Sequence, residues 1–200
     1  MYSSDTPRYE LTKQYRDTIS TDHILSYYPF LREGRDRGSI HPLMLSYYVL
    51  LGDELGQIAT VEAMMFDEDQ RIAIQGDTRK STAQAADSGW FHPDNYELRC
   101  AVEFQFGEKK VETKTKHLVQ YSDAYPETEL LVLHLWTTDR SDPSEKVTSI
   151  LRSGYENADG VMFDRPSADV VLMKSRFERV EDRYQLGRTR EIELFPDPNN

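Results

Sequence analysis

The sequence predicts a single α/β domain built on one mixed central sheet flanked by helices. Three observations lead there. TELLVLHLWTT (128–138) is a nearly continuous apolar run of strand length, the mark of a central strand buried on both faces. HPLMLSYYVLLGDELG (41–56) repeats its apolar residues at helical steps. Runs with strand character are interleaved with these helical patterns, which is the layout of a sheet with helices packed on it.

The elements follow in order. Asp22 is a suitable N-cap for a short helix over 22–30. In 41–56 the residues Leu43, Leu45, Tyr48, Leu51 and Leu55 mark the helix, with Pro42 in its first turn and Gly56 as a stop. IATVEAMMFDEDQRIAI (58–74) reads as strand, acidic turn, strand, and 76–89 as a loop. WFHPDNYELRCAVEFQF (90–106) reads as two strands joined at Pro93-Asp94-Asn95. Proline presets φ there, and Asp-Asn tolerates a tight bend. VETKTKHLVQYSDAY (111–125) predicts a helix ended by Pro126, with Val111, Leu118, Val119 and Tyr125 on its inner side. Residues 141–154 predict a helix capped by Ser141 or Asp142 and stopped by Gly154, and 168–180 and 190–195 predict strands. The early strands can pair as hairpins. The strand after 111–125 can return parallel by a crossover.

Composition narrows the function. Two hundred residues make one domain, 1–200, with 139–200 adding a helix and strands to the sheet. No apolar run approaches the length of a membrane span, and MYSSDTPRYELTK lacks the apolar core of a signal peptide. With one cysteine, Cys100, neither an internal disulfide nor a cysteine-rich zinc site can form, which fits a cytoplasmic protein. The net charge of −11 opposes long-range attraction to nucleic acid. Only residues 103–120 carry an excess of cations, four against three acids. Local cations or a divalent metal can reverse repulsion at one site. The chain has no P-loop or dinucleotide pattern and no G-x-S-x-G elbow. No His or Cys cluster has zinc spacing, and His23, His41 and His92 stand alone. His134, inside an apolar run, reads as a core side chain.

AVEFQF (101–106) puts a carboxylate and an amide on one face of an otherwise apolar strand. A hairpin turning at 94–95 brings Asp87 back beside Glu103. Paired carboxylates repel unless a cation lies between them, and a hard ion such as Mg²⁺ or Mn²⁺ fills that role.

The stretch AADSGWFHPDNYELRCAVEFQF, followed by a helix with KHLVQY and a buried strand LLVLHLW, resembles the PD-(D/E)xK nuclease superfamily over about residues 54–138. The resemblance implies a restriction-endonuclease-like fold and Mg²⁺- or Mn²⁺-dependent hydrolysis of phosphodiester bonds in DNA. It implies a metal-binding Asp on the first strand and an acid-x-Lys motif on the second. Asp87 matches the first acid, and Asp94, in a literal Pro-Asp, is an alternative for it. Glu103 matches the second acid, Gln105 stands where the superfamily usually has Lys, and Glu54 matches an acid of the preceding helix. The missing lysine is then expected on the following helix, at Lys116 or Lys114. The resemblance also implies nucleic acid as partner, and residues 121–200, beyond the matched core, are enough for a dimer interface or a partner-protein surface. The Gln105 departure leaves a second expectation open, a silent binding or assembly module on the same scaffold.

Overall fold

The computed structural model describes residues 10–20, 23–34, 37–64, 85–106, 114, 121, 125–137, 144–149 and 168–192. Three helices, α1 (Glu10–Ser20), α2 (His23–Tyr27) and α3 (Arg37–Glu54), precede most of the strands. The strands are β1 (Glu33–Gly34), β2 (Ile58–Met64), β3 (Ala85–Phe91), β4 (Leu98–Phe106), β5 (Leu130–Thr137), β6 (Asp169–Val180) and β7 (Arg183–Ile192). They form one seven-stranded sheet in the order β1-β7-β6-β5-β4-β3-β2. The fold is mixed α/β. β4, β5 and β6 are parallel neighbours, and antiparallel hairpins flank them on both sides.

Parallel neighbours need crossovers, and successive right-handed crossovers in one direction lie on one face of the sheet. Tyr121 and Val147, one from each crossover, pack on that face with Ala101, Leu131, Leu133, Leu135 and Leu172. The opposite face carries Trp90, Val102, Phe104, Val132, Trp136 and Met173, covered by α1–α3 through Leu11, Tyr15, Ile24, Met44, Tyr48 and Leu51. The side chains of β5 are buried along its whole length, as a strand covered on both faces must be.

The structure differs from the sequence expectation in several places. α1 has no counterpart in it. Leu11 and Tyr15, one turn apart, are its buried anchors. The expected helix over 22–30 is α2 followed by a 3-10 turn, Pro29–Arg32. α3 starts at Arg37, so Pro42 lies inside the helix rather than in its first turn. β3 starts at Ala85, so Asp87 belongs to a strand and not to a loop. β7 begins at Arg183, well before the expected 190, because β6 turns back on itself at Glu181-Asp182. The second half of the strand pair expected over 58–74 lies outside the described residues.

α3 sits unusually close to the sheet at Gly52. A Cβ there would lie 2.6 Å from Trp90 Nε1 and 2.7 Å from the Ala59 Cβ. The contact lets Trp90 Nε1 donate to the Tyr48 carbonyl at 3.0 Å. A buried chain of hydrogen bonds then ties α1, α3, β5, β6 and β7 together. Tyr15 and Tyr48 hydroxyls meet at 3.2 Å, and Tyr48 Oη lies 2.7 Å from His134 Nδ1. His134 Nε2 lies 2.6 Å from Ser175 Oγ, which meets Thr189 Oγ1 at 2.7 Å. Every buried group in this chain has a partner, so it costs little and holds α3 in one position.

Burial pushes the His134 pKa down to about 3. Its ordinary value is about 6.5, so between those values the unfolded chain binds a proton that the folded chain refuses. Stability from this group is complete above about pH 6.5 and is lost as pH falls toward 3. The full loss is roughly 5 kcal/mol, one pKa unit being about 1.4 kcal/mol. Urea unfolding midpoints should therefore drop steadily from pH 7 to pH 4. A His134→Phe variant should show a flatter profile over the same range.

Candidate metal and phosphate site

The site forms where the sheet forks. Pairing of β3 with β4 ends at Ser88↔Val102, while β3 continues beside β2 and β4 continues beside β5. Asp87 is the first residue past the fork. Its side chain takes a place that a backbone carbonyl holds further along the ladder, because Asp87 Oδ2 accepts the Phe104 N–H at 2.7 Å. A carboxylate fixed by a backbone donor inside a sheet has little freedom to move.

Glu103 lies opposite on β4 and is completely buried. Tyr121 Oη donates to its Oε1 at 2.9 Å. Its Oε2 binds the Lys114 ammonium, which also donates to Asp87 Oδ2 at 2.9 Å. One ammonium thus joins two carboxylates from adjacent strands. Lys114 and Tyr121 are both in helical conformation and stand seven residues apart in the connection between β4 and β5, which delivers both side chains.

From the other face of the sheet α3 brings His41, whose Nε2 lies 3.5 Å from Asp87 Oδ1. His41 stacks edge-on against Phe104 and Trp136, with ring centroids at 5.6 and 5.8 Å. It is seven residues from Tyr48, so the anchor that holds Tyr48 in the core also holds His41 over the fork. His41 is half-exposed, and the Asp87 cluster therefore communicates with solvent on this side.

The electrostatics follow from this geometry. Burial alone would raise the Asp87 pKa. Contacts with His41, the Lys114 charge and the Phe104 N–H outweigh it and hold the group well below the usual carboxylate range. Burial would lower the Lys114 pKa, but the charges of Glu103 and Asp87 raise it. Burial and the Glu103 charge raise the Tyr121 hydroxyl, so it stays a donor. At neutral pH the cluster holds an ionised Asp87 and a charged Lys114.

The remaining candidates lie elsewhere. Gln105 is buried on the face of β4 that carries Glu103, one pleat further along. The lysine joined to both carboxylates is Lys114, and Lys116 lies outside the described residues. Glu54 is exposed at the far end of α3, about 20 Å along the helix from His41. It pairs there with His23 at 3.1 Å. Asp94 is exposed in the hairpin turn, at least about 17 Å along β4 from Glu103. Its backbone N–H donates to His92 Nδ1 at 3.1 Å. His41, isolated in the sequence, joins the cluster instead. Its heptad spacing to Tyr48 and Leu55 was the signal that places it on the core-facing stripe.

Among the described residues, no three His, Cys, Asp or Glu side chains are grouped so as to hold a metal ion by themselves. Among them too, no helix is long and apolar enough to cross a membrane. No protein-family model, curated protein or solved structure matches the chain.

Proposed function

We propose that the fork at Asp87 and Glu103 is a divalent-metal site for hydrolysis of phosphodiester bonds in DNA, on a restriction-endonuclease-like scaffold. The observation that carries this reading is the shared cation. Two carboxylates from neighbouring strands converge on one positive charge, with one carboxylate fixed by a backbone N–H. The donor set fits a hard ion, since Mg²⁺ is commonly held by one or two carboxylates and completed by water and phosphate oxygens. Asp87 and Glu103 would supply the oxygens. When bound, Mg²⁺ or Mn²⁺ would lower the pKa of a coordinated water and neutralise charge on the phosphate.

The chain's own residues have distinct parts in this reading. Tyr121 pins Glu103 Oε1 and leaves Oε2 to face the cation. The Phe104 N–H pins Asp87. Were the two carboxylates to hold an ion, Lys114 beside them would offer its charge to a phosphate oxygen. In this reading it supplies, from the connection between β4 and β5, the lysine that the superfamily usually carries at the position of Gln105. His41 stands half-exposed on the solvent side of Asp87.

One observation favours a second reading, a silent scaffold on which the cluster is only an internal ion pair. Glu103 is wholly buried and both its oxygens are already bonded. Thermal unfolding in Mg²⁺ or Mn²⁺ separates the two. A metal site at 100 times its dissociation constant gains about 2.7 kcal/mol, or roughly 5–10 °C for a domain of this size. The rise should vanish in Glu103→Gln. Equal melting with and without metal in the wild type would favour the silent scaffold.

A further inference from the structure

Asp87 uses its two oxygens differently. Oδ2 is committed to the Phe104 N–H and the Lys114 ammonium, at 2.7 and 2.9 Å. Oδ1 faces α3, where His41 Nε2 stands 3.5 Å away. That spacing is long for a charged N–H···O bond, which closes to about 2.7–2.9 Å. It is the spacing of two donors on one ion. Bonds of about 2.1 Å at a tetrahedral angle put their donor atoms about 3.4 Å apart. The right angles of an octahedral Mg²⁺ site would bring them to about 3.0 Å.

Both donors are held by the fold itself. The Asp87 side chain is only 18% exposed and is fixed by a backbone donor. The His41 ring stands edge-on against Phe104 and Trp136, both buried. His41 is nevertheless half-exposed, which leaves the pair open to solvent. The other histidine–carboxylate pairs lack this combination. His23 closes on Glu54 to 3.1 Å between two half-exposed side chains. His92 Nδ1 already accepts the Asp94 N–H, and the Asp94 side chain is free in solvent. Carboxylates and water alone suit Mg²⁺, whereas an imidazole moves the preference to transition ions.

We propose that His41 Nε2 and Asp87 Oδ1 form a binding site for a transition-metal ion of the Zn²⁺ or Co²⁺ class on the α3 side of the fork, with Lys114 still on Oδ2. Two protein donors leave the other positions of the ion to water or to phosphate oxygens. The site shares Asp87 with the proposed Mg²⁺ or Mn²⁺ site, but it does not require phosphodiester hydrolysis.

The test uses Co²⁺ on the chelator-treated full chain. Tetrahedral Co²⁺ absorbs visible light far more strongly than the hydrated ion, so its spectrum reports the geometry. Co²⁺ also quenches nearby indole emission, and Trp136, one of two tryptophans, lies against His41. Wild type should gain the absorption and lose emission until one ion is bound per chain, and Zn²⁺ should displace it. Losing the outer partner of a metal ligand costs about 10–100-fold in affinity, and losing the ligand no less. His41→Gln should therefore bind Co²⁺ at least about tenfold more weakly, with a urea midpoint near that of the wild type, while His23→Gln binds as wild type does. Wild type with no tetrahedral spectrum overturns the site, and so does a His41→Gln variant that titrates like wild type. The melting shift of wild type in Mg²⁺ tests the hydrolytic reading separately. A Mg²⁺ shift without a Co²⁺ site overturns this inference and leaves that reading standing. A Co²⁺ site lost in His41→Gln supports the inference even where Mg²⁺ gives no shift and the hydrolytic reading falls.

Discussion

Replacing Lys114 with methionine should destabilise the metal-free protein by about 3–5 kcal/mol at pH 7, and millimolar Mg²⁺ or Mn²⁺ should restore most of that loss. The substitution leaves Asp87 and Glu103 facing each other without the ammonium that joins them. Removing one partner of a buried ion pair has this order of cost, because the other charge stays desolvated. Two carboxylates held together resist ionisation, so one of them takes up a proton more readily. The folded-state pKa is then raised above its unfolded value. The destabilisation therefore eases as pH falls and grows as pH rises. A divalent ion removes it at neutral pH, and no ammonium competes for the carboxylates, so the metal shift of the variant should exceed that of the wild type. Urea titrations with and without metal read both effects. If metal fails to rescue the variant, the two carboxylates are partners for lysine alone.

Replacing Glu103 with glutamine should reduce metal-dependent DNA cleavage by roughly 10³-fold or more, equivalent to about 4 kcal/mol of lost transition-state stabilisation. The substitution is nearly isosteric. The amide oxygen can still accept from Tyr121 Oη, and Lys114 keeps Asp87. Only the charge at Oε2 is lost. The stability cost is therefore smaller than for Lys114→Met, since no buried charge is left without a partner. A drop in activity together with a near-normal unfolding midpoint assigns the loss to the site. Glu103→Ala would also open a cavity under Tyr121 and blur that distinction.

Much of the sheet was legible in the sequence for simple physical reasons. β5 is covered on both faces, so its apolar run has no polar interruption except His134, and His134 is satisfied by Tyr48 and Ser175. The β3–β4 hairpin was legible because Pro93-Asp94-Asn95 can be little other than a turn. The turn position in turn brings Asp87 beside Glu103. The fork was not legible, since nothing in the residue pattern shows where two strands stop pairing. That is why Asp87 read as a loop residue. The lysine of the cluster was legible only through helical phase. Lys114, Leu118, Tyr121 and Tyr125 share the spacing of one helical stripe, whereas Lys116 is about 200° away from Lys114 around a helix. α1 was missed because only Leu11, Tyr15 and Ile19 mark its inner face among polar residues. Glu54 matches an acid of the preceding helix only by position in the sequence, and at the far end of α3 it pairs with His23, away from the fork.

Cleavage of an end-labelled DNA duplex by wild type and Glu103→Gln, each in Mg²⁺, in Mn²⁺ and in EDTA, is the most direct measurement of whether the fork is a phosphodiester site. Products from the wild type in either metal, none in EDTA, and none from a folded Glu103→Gln are the expected result. Equal cleavage by both proteins, or no cleavage by folded wild type in either metal, would contradict it.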